Sequence, residues 1–84
     1  MAKVVEMMAQ KQVAAFEKKM GWNRTPANRI MLFIKKDAVL LKNKNMKHKV
    51  VDIYFETLQL ANRLRINLDK ALQQHMKEAE KKYS

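Results

Sequence analysis

No cysteine occurs among the 84 residues, and glycine and proline occur once each. The missing cysteine removes disulfides and thiolate metal ligands as sources of stability, and it leaves the redox compartment unspecified. The shortage of glycine and proline leaves few turns, which favours long helices joined by short links over a many-stranded β fold. Acids are scarce as well, with eight Asp and Glu against eighteen Lys and Arg, for a net charge of +10. There is no glycine-rich phosphate loop, no serine, histidine and acid set for nucleophilic catalysis, and no apolar run long enough to span a bilayer. The N-terminal stretch mixes Lys3 and Glu6 into its apolar residues, so it does not read as a signal peptide. The expectation is a cytoplasmic, membrane-free protein with one domain over residues 1–84.

A chain of this size buries only roughly 60–65% of the surface its unfolded form exposes, so a lone core is marginal. With disulfides excluded, oligomerisation is the remaining common remedy, and the chain is expected to form a homo-oligomer. The basic charge is also concentrated. Residues 35 to 49 hold Lys35, Lys36, Lys42, Lys44, Lys47 and Lys49 against Asp37 alone, a local excess of +5. Such a field attracts phosphate, nucleotides or nucleic acid, and it equally suits a solvated face that keeps the chain soluble.

The apolar spacing predicts four helices. The first, about Ala2 to Met20, places Val5, Met8, Ala9, Val13, Phe16 and Met20 on one face and stops at Gly21. Thr25 and Pro26 read as N-cap and first residue of a second helix reaching about Lys42, with Ile30, Phe33, Ile34, Ala38 and Leu41 inward and Asp37 unexpectedly beside them. Asn45 caps a third helix to about Leu64 whose polar strip is narrow, as for a central helix. Asn67 caps a fourth, striped by Leu68, Ala71, Leu72, His75, Met76, Ala79 and Tyr83. The expected fold is all-α, four antiparallel helices completing their core by oligomerisation.

Several segments then carry a family likeness. Gly21-Trp22-Asn23-Arg24-Thr25-Pro26 before an apolar helix resembles the entry to a MazG-like nucleotide pyrophosphohydrolase domain. Asp52-Ile53-Tyr54, Leu60-Ala61-Asn62-Arg63-Leu64, Ile66-Asn67-Leu68 and Lys81-Lys82-Tyr83 are similar to that family's aspartate-bearing helix, joint and basic terminal helix. The resemblance covers the chain from about Phe16 onward. It implies an all-α dimer or tetramer and a Mg²⁺-dependent reaction splitting nucleoside triphosphates into monophosphate and pyrophosphate. It also implies a carboxylate set, Glu-Glu-x-x-Glu and then Glu-x-x-Asp, because hard divalent cations need several converging carboxylate oxygens.

Carried over residue by residue, that set falls on Lys35, Lys36 and Val39, then on Lys49 and Asp52. Asp52 alone keeps its acid, the spacer is short, and Ala79 stands where the family usually has asparagine. An ammonium has no lone pair to give a metal and repels a divalent cation. The resemblance therefore implies a non-catalytic relative without a metal cofactor, in which lysines pair with Asp52 or attract anions. Lys35, Lys36, Lys42, Lys49 and Lys82 are the anion-binding candidates. The alternatives are a Mg²⁺-dependent pyrophosphohydrolase using Asp37, Asp52 and Glu56, and a purely structural assembly module, natural or engineered.

The remaining candidates carry two readings each. Trp22, Tyr54 and Phe55 are of the type that stacks on nucleobases, yet such rings more often serve as core or interface. Asp52 and Glu56 share a helix face, where a salt bridge from Lys49 or Arg63 is a commoner role than cation binding. His75, on an apolar stripe, reads as a packed core histidine rather than a ligand, and His48 lies on another helix. Helix-turn-helix DNA binding is disfavoured by long helices and by turns without the expected glycine.

Overall fold

The computed structural model describes residues 7–83, apart from the side chain of Asn43. Among them are four α-helices and no strand: α1 (Met8–Met20), α2 (Ala27–Val39), α3 (Met46–Leu64) and α4 (Leu68–Tyr83), with a single 3₁₀ turn at Asn43–Asn45. None is long and apolar enough to cross a membrane. The part of the first helix expected before Met7 lies outside the described residues.

Local chemistry explains the helix ends. Gly21 takes the left-handed conformation at φ 75°, and Trp22 N–H donates back to Glu17 O at 2.8 Å, closing α1. Arg65 does the same for α3 at φ 58°, with Ile66 N–H donating to Ala61 O, although arginine gains none of glycine's freedom there. Asn67 caps α4 as expected, its Oδ1 accepting from Lys70 N–H at 3.2 Å. Two expected caps are corrected. Pro26 rather than Thr25 precedes α2, and neither it nor Asn45 makes a side-chain capping bond to the following helix. Asn45 Oδ1 instead accepts from Lys42 N–H, which tightens the 3₁₀ turn. The second helix consequently ends at Val39, short of Lys42.

α3 is the shared neighbour of α1 and α2. Ile30, Val13, Leu58 and Ala61 form the buried apolar core. The inward line of α1 is Gln10, Val13 and Glu17, a rotation from the expected face that leaves Phe16 and Met20 substantially exposed. On α2 the inward line is Ile30, Ile34 and Asp37. In both helices a polar residue takes an inward position because a partner awaits it on α3, as described below.

α4 departs most from expectation. It has no buried residue, and Leu72, Met76 and Tyr83 are more than half exposed. His75 is exposed, so it is not a core histidine. The α3 face carrying Val50, Val51 and Tyr54 is likewise open, so α3 is surrounded on two sides only. The Cα radius of gyration is 14.6 Å, against about 12 Å for a compact chain of this length. The accessible surface is 7258 Å², against about 5,200 Å² for a compact monomer of this mass.

Candidate functional site

Two polar clusters meet along α3. The first is buried. Glu17 is fully covered, and Arg63 grips its carboxylate with two bonds, Nη1 to Oε1 at 3.0 Å and Nη2 to Oε2 at 2.5 Å. Gln59 Nε2 adds a third at 2.8 Å. The same guanidinium donates to Thr25 O at 2.7 Å and Trp22 O at 3.0 Å, so one side chain ties α1, α3 and the α1–α2 link together. Arg63 therefore does not reach Asp52 or Glu56. A second buried relay lies toward α4. Gln10 Nε2 donates to Asn62 Oδ1 and Ile66 O, while its Oε1 accepts from Leu68 N–H. Gln10, Glu17 and Gln59 were not singled out in the sequence, and Arg63 was expected beside Asp52 and Glu56. The available signal was Gln10 and Glu17 in register with Val13, a polar pair on one inward line.

The second cluster is charged and half-buried. Lys49 Nζ lies 3.2 Å from Asp37 Oδ1 and 3.9 Å from Asp52 Oδ2. Asp37 comes from α2 and the other two from α3, so the ammonium bridges both helices. His48 Nε2 stands 3.5 Å from Asp52 on the solvent side. Glu56, one turn further along α3, interacts with Asp37 and feels the charges of Asp52 and Lys49. This arrangement accounts for the carboxylate that seemed misplaced on the apolar face of α2.

The two acids are shifted in opposite directions. Glu56 is pushed up to about 7 by burial first, then by its hydrogen bond to Asp37 and by the charges of Asp37 and Asp52, with Lys49 opposing. Asp37 is lowered by the hydrogen bond with Glu56 and by Lys49 and Lys36, against the effect of its own burial. The proton therefore resides on Glu56 and the charge on Asp37. For Glu56 the folded value lies above the ordinary one, so its stabilising contribution is complete below about pH 4.5 and is lost as pH rises through about 7. For Asp37 the contribution is present above 3.8 and is lost as pH falls through its lowered folded value. Glu56→Gln should then stabilise the chain at pH 8 by on the order of 1–2 kcal/mol and converge with the parent near pH 5. Urea denaturation at the two pH values reads this directly, and equal midpoints at pH 8 would contradict it.

The carboxylate positions implied by the family likeness separate in space. Lys35 and Lys36 are exposed, and with Leu32, Val39 and Leu40 they line a shallow groove on the outer side of α2. Lys49 instead faces inward to Asp37 and Asp52 and is held by carboxylates. Lys42 is exposed on the α2–α3 link, and Lys82 near the end of α4 lies 5.4 Å from the Tyr83 ring centroid. Among the described residues no group of three or more histidine, aspartate or glutamate side chains is placed to hold a metal ion. The donor set does not fit one either, because the ammonium of Lys49 sits among the three carboxyl groups.

Of the stacking candidates, Trp22 is brought to a cavity of about 340 Å³, walled also by Thr25, Phe33, Phe55, Glu56 and Gln59. Phe16 braces this wall edge-on, its centroid 5.6 Å from Trp22 and 5.9 Å from Phe55. Tyr54 is exposed and is not among the lining residues. No family model, curated protein or solved structure matches this chain.

Proposed function

We propose that this chain is a non-catalytic, MazG-like helical oligomer in which an internal ammonium takes the place of a metal ion and outward lysines attract phosphate-bearing polyanions. The observation that carries this reading is Lys49, seated at 3.2 Å from Asp37 and 3.9 Å from Asp52. A divalent cation between two helices neutralises carboxylates and holds the helices together, and an ammonium in the same region supplies positive charge without Lewis acidity. Lys35 and Lys36, open to solvent on α2, and Lys42 on the adjoining link supply the anion-attracting surface.

The oligomer is supported by the surplus surface. The chain exposes about 2,000 Å² more than a compact monomer would. One partner contributes about 800 Å² to a standard interface, so the surplus is large enough to supply one. The apolar stripe of α4 and the open face of α3 are the surfaces that a second copy would cover. A purely structural module would share this assembly and lack the anion binding.

A second reading, a Mg²⁺-dependent pyrophosphohydrolase built on Asp37, Asp52 and Glu56, draws on the mutual interaction of those three groups. Incubation with a panel of nucleoside triphosphates and Mg²⁺ or Mn²⁺ distinguishes the two. We expect no pyrophosphate above background, and metal-dependent turnover would overturn the proposal. Binding to a single-stranded oligonucleotide should weaken steeply with salt, by about one counterion's slope per phosphate contacted. Absent or salt-insensitive binding would leave the structural module.

A further inference from the structure

The cavity beside Trp22 has a lining opposite in character to the protein's overall charge. The charged donor nearest it is spent inward, the Arg63 guanidinium bonding Glu17, Thr25 O and Trp22 O, and Gln59 Nε2 also donates to Glu17. Its walls are the rings of Trp22, Phe33 and Phe55, together with Thr25, Gln59 and Glu56. Glu56 Oε1 is buried and has no hydrogen-bond partner. Buried acceptors without partners are uncommon in folded proteins, and each calls for a physical reason. Aromatic rings carry negative faces that attract ammonium groups. A phosphate would meet no free donor cation here, whereas an N–H donor bearing positive charge would meet both the rings and the carboxyl group of Glu56.

We propose that this cavity binds a small organic cation, a protonated primary amine with a single-ring or short aliphatic body, paired with Glu56 and packed against Trp22, Phe33 and Phe55. The volume of about 340 Å³ lies at the small end of ligand pockets, which limits the body to about one ring. The inference does not depend on the family reading. The charged groups around Glu56 are Asp37 from α2, with Lys36 acting on it, and Lys49 and Asp52 from α3, while Glu17 and Arg63 are paired behind Gln59. In the empty protein Glu56 holds its proton up to about pH 7, so an arriving ammonium displaces that proton to solvent.

Trp22 is the sole tryptophan, so its fluorescence reports the cavity. The probes are benzylammonium, the uncharged benzyl alcohol of similar shape, and inorganic phosphate. A saturable change with benzylammonium is expected at roughly millimolar concentration. Because the ionised fraction of Glu56 falls from about 0.9 to about 0.1, affinity should be about tenfold weaker at pH 6 than at pH 8. Glu56→Gln should weaken binding at pH 8 about tenfold or more and flatten the profile, with circular dichroism showing it folded. Benzyl alcohol binding as tightly as benzylammonium, a flat profile in the parent protein, or no saturable change would each overturn the proposal. The parent pH profile needs no variant and stands on its own.

Discussion

Arg63→Ala is expected to lower the unfolding free energy by about 3–5 kcal/mol, the cost of leaving a buried carboxylate without its partner. The Glu17 side chain is 1% exposed and has no access to water in exchange for the guanidinium. Gln59 would remain as its one neutral donor. The carbonyls of Trp22 and Thr25 would lose a donor at the same time, loosening the α1–α2 link and the wall of the aromatic cavity. A domain this small holds only about 5–10 kcal/mol in all, so the variant should be largely unfolded in mild urea. Glu17→Leu combined with Arg63→Met should recover most of the loss, since replacing both partners of a buried pair by apolar groups is often neutral or favourable. Urea unfolding followed by Trp22 fluorescence and circular dichroism measures both. A loss below about 1 kcal/mol for Arg63→Ala would show that the pair contributes little.

The other large effect is expected on assembly. Leu72→Glu with Met76→Glu places two carboxylates on the exposed stripe of α4. The helix is 16 residues long and buries none of them within its own chain. Isolated helices of about that length are marginal in water, so α4 depends on whatever covers its stripe. The double variant should sediment as a monomer where the parent sediments as a dimer or larger. It should also lose up to about a quarter of its helical ellipticity, the share that α4 holds. The three-helix body around Ile30 and Leu58 should persist. A parent that is monomeric at micromolar concentration with α4 fully helical would count against the oligomer.

Helix number, order and approximate position were legible because apolar spacing and stop signals act locally. Gly21 and Asn67 performed as their types predict, since a left-handed stop and a side-chain cap involve only a few neighbouring residues. The rotation of each helix was less legible. Val13 pointed inward as expected, but Phe16 and Met20 gave way to Gln10 and Glu17. Hydrophobic periodicity scores a glutamate as an outward residue, and nothing within α1 indicates that Arg63 waits 46 positions later. The charged cluster follows the same logic. Lys35, Lys36 and Lys49 look alike in sequence, yet only Lys49 turns inward, because Asp37 on α2 meets it there.

The sequence by itself determined that the chain is helical, basic, single-domain in scale and too small to complete a core comfortably. These properties are sums over residues or short-range preferences, and they do not depend on how the helices meet. Tertiary structure decided which polar groups are paired, which lysine is internal, where Glu56 finds itself short of a partner, and that α4 is left uncovered. Each of these depends on side chains from different helices approaching within a few ångströms. Desolvation and pairing at that range shift a carboxyl group's proton affinity or settle an arginine's role.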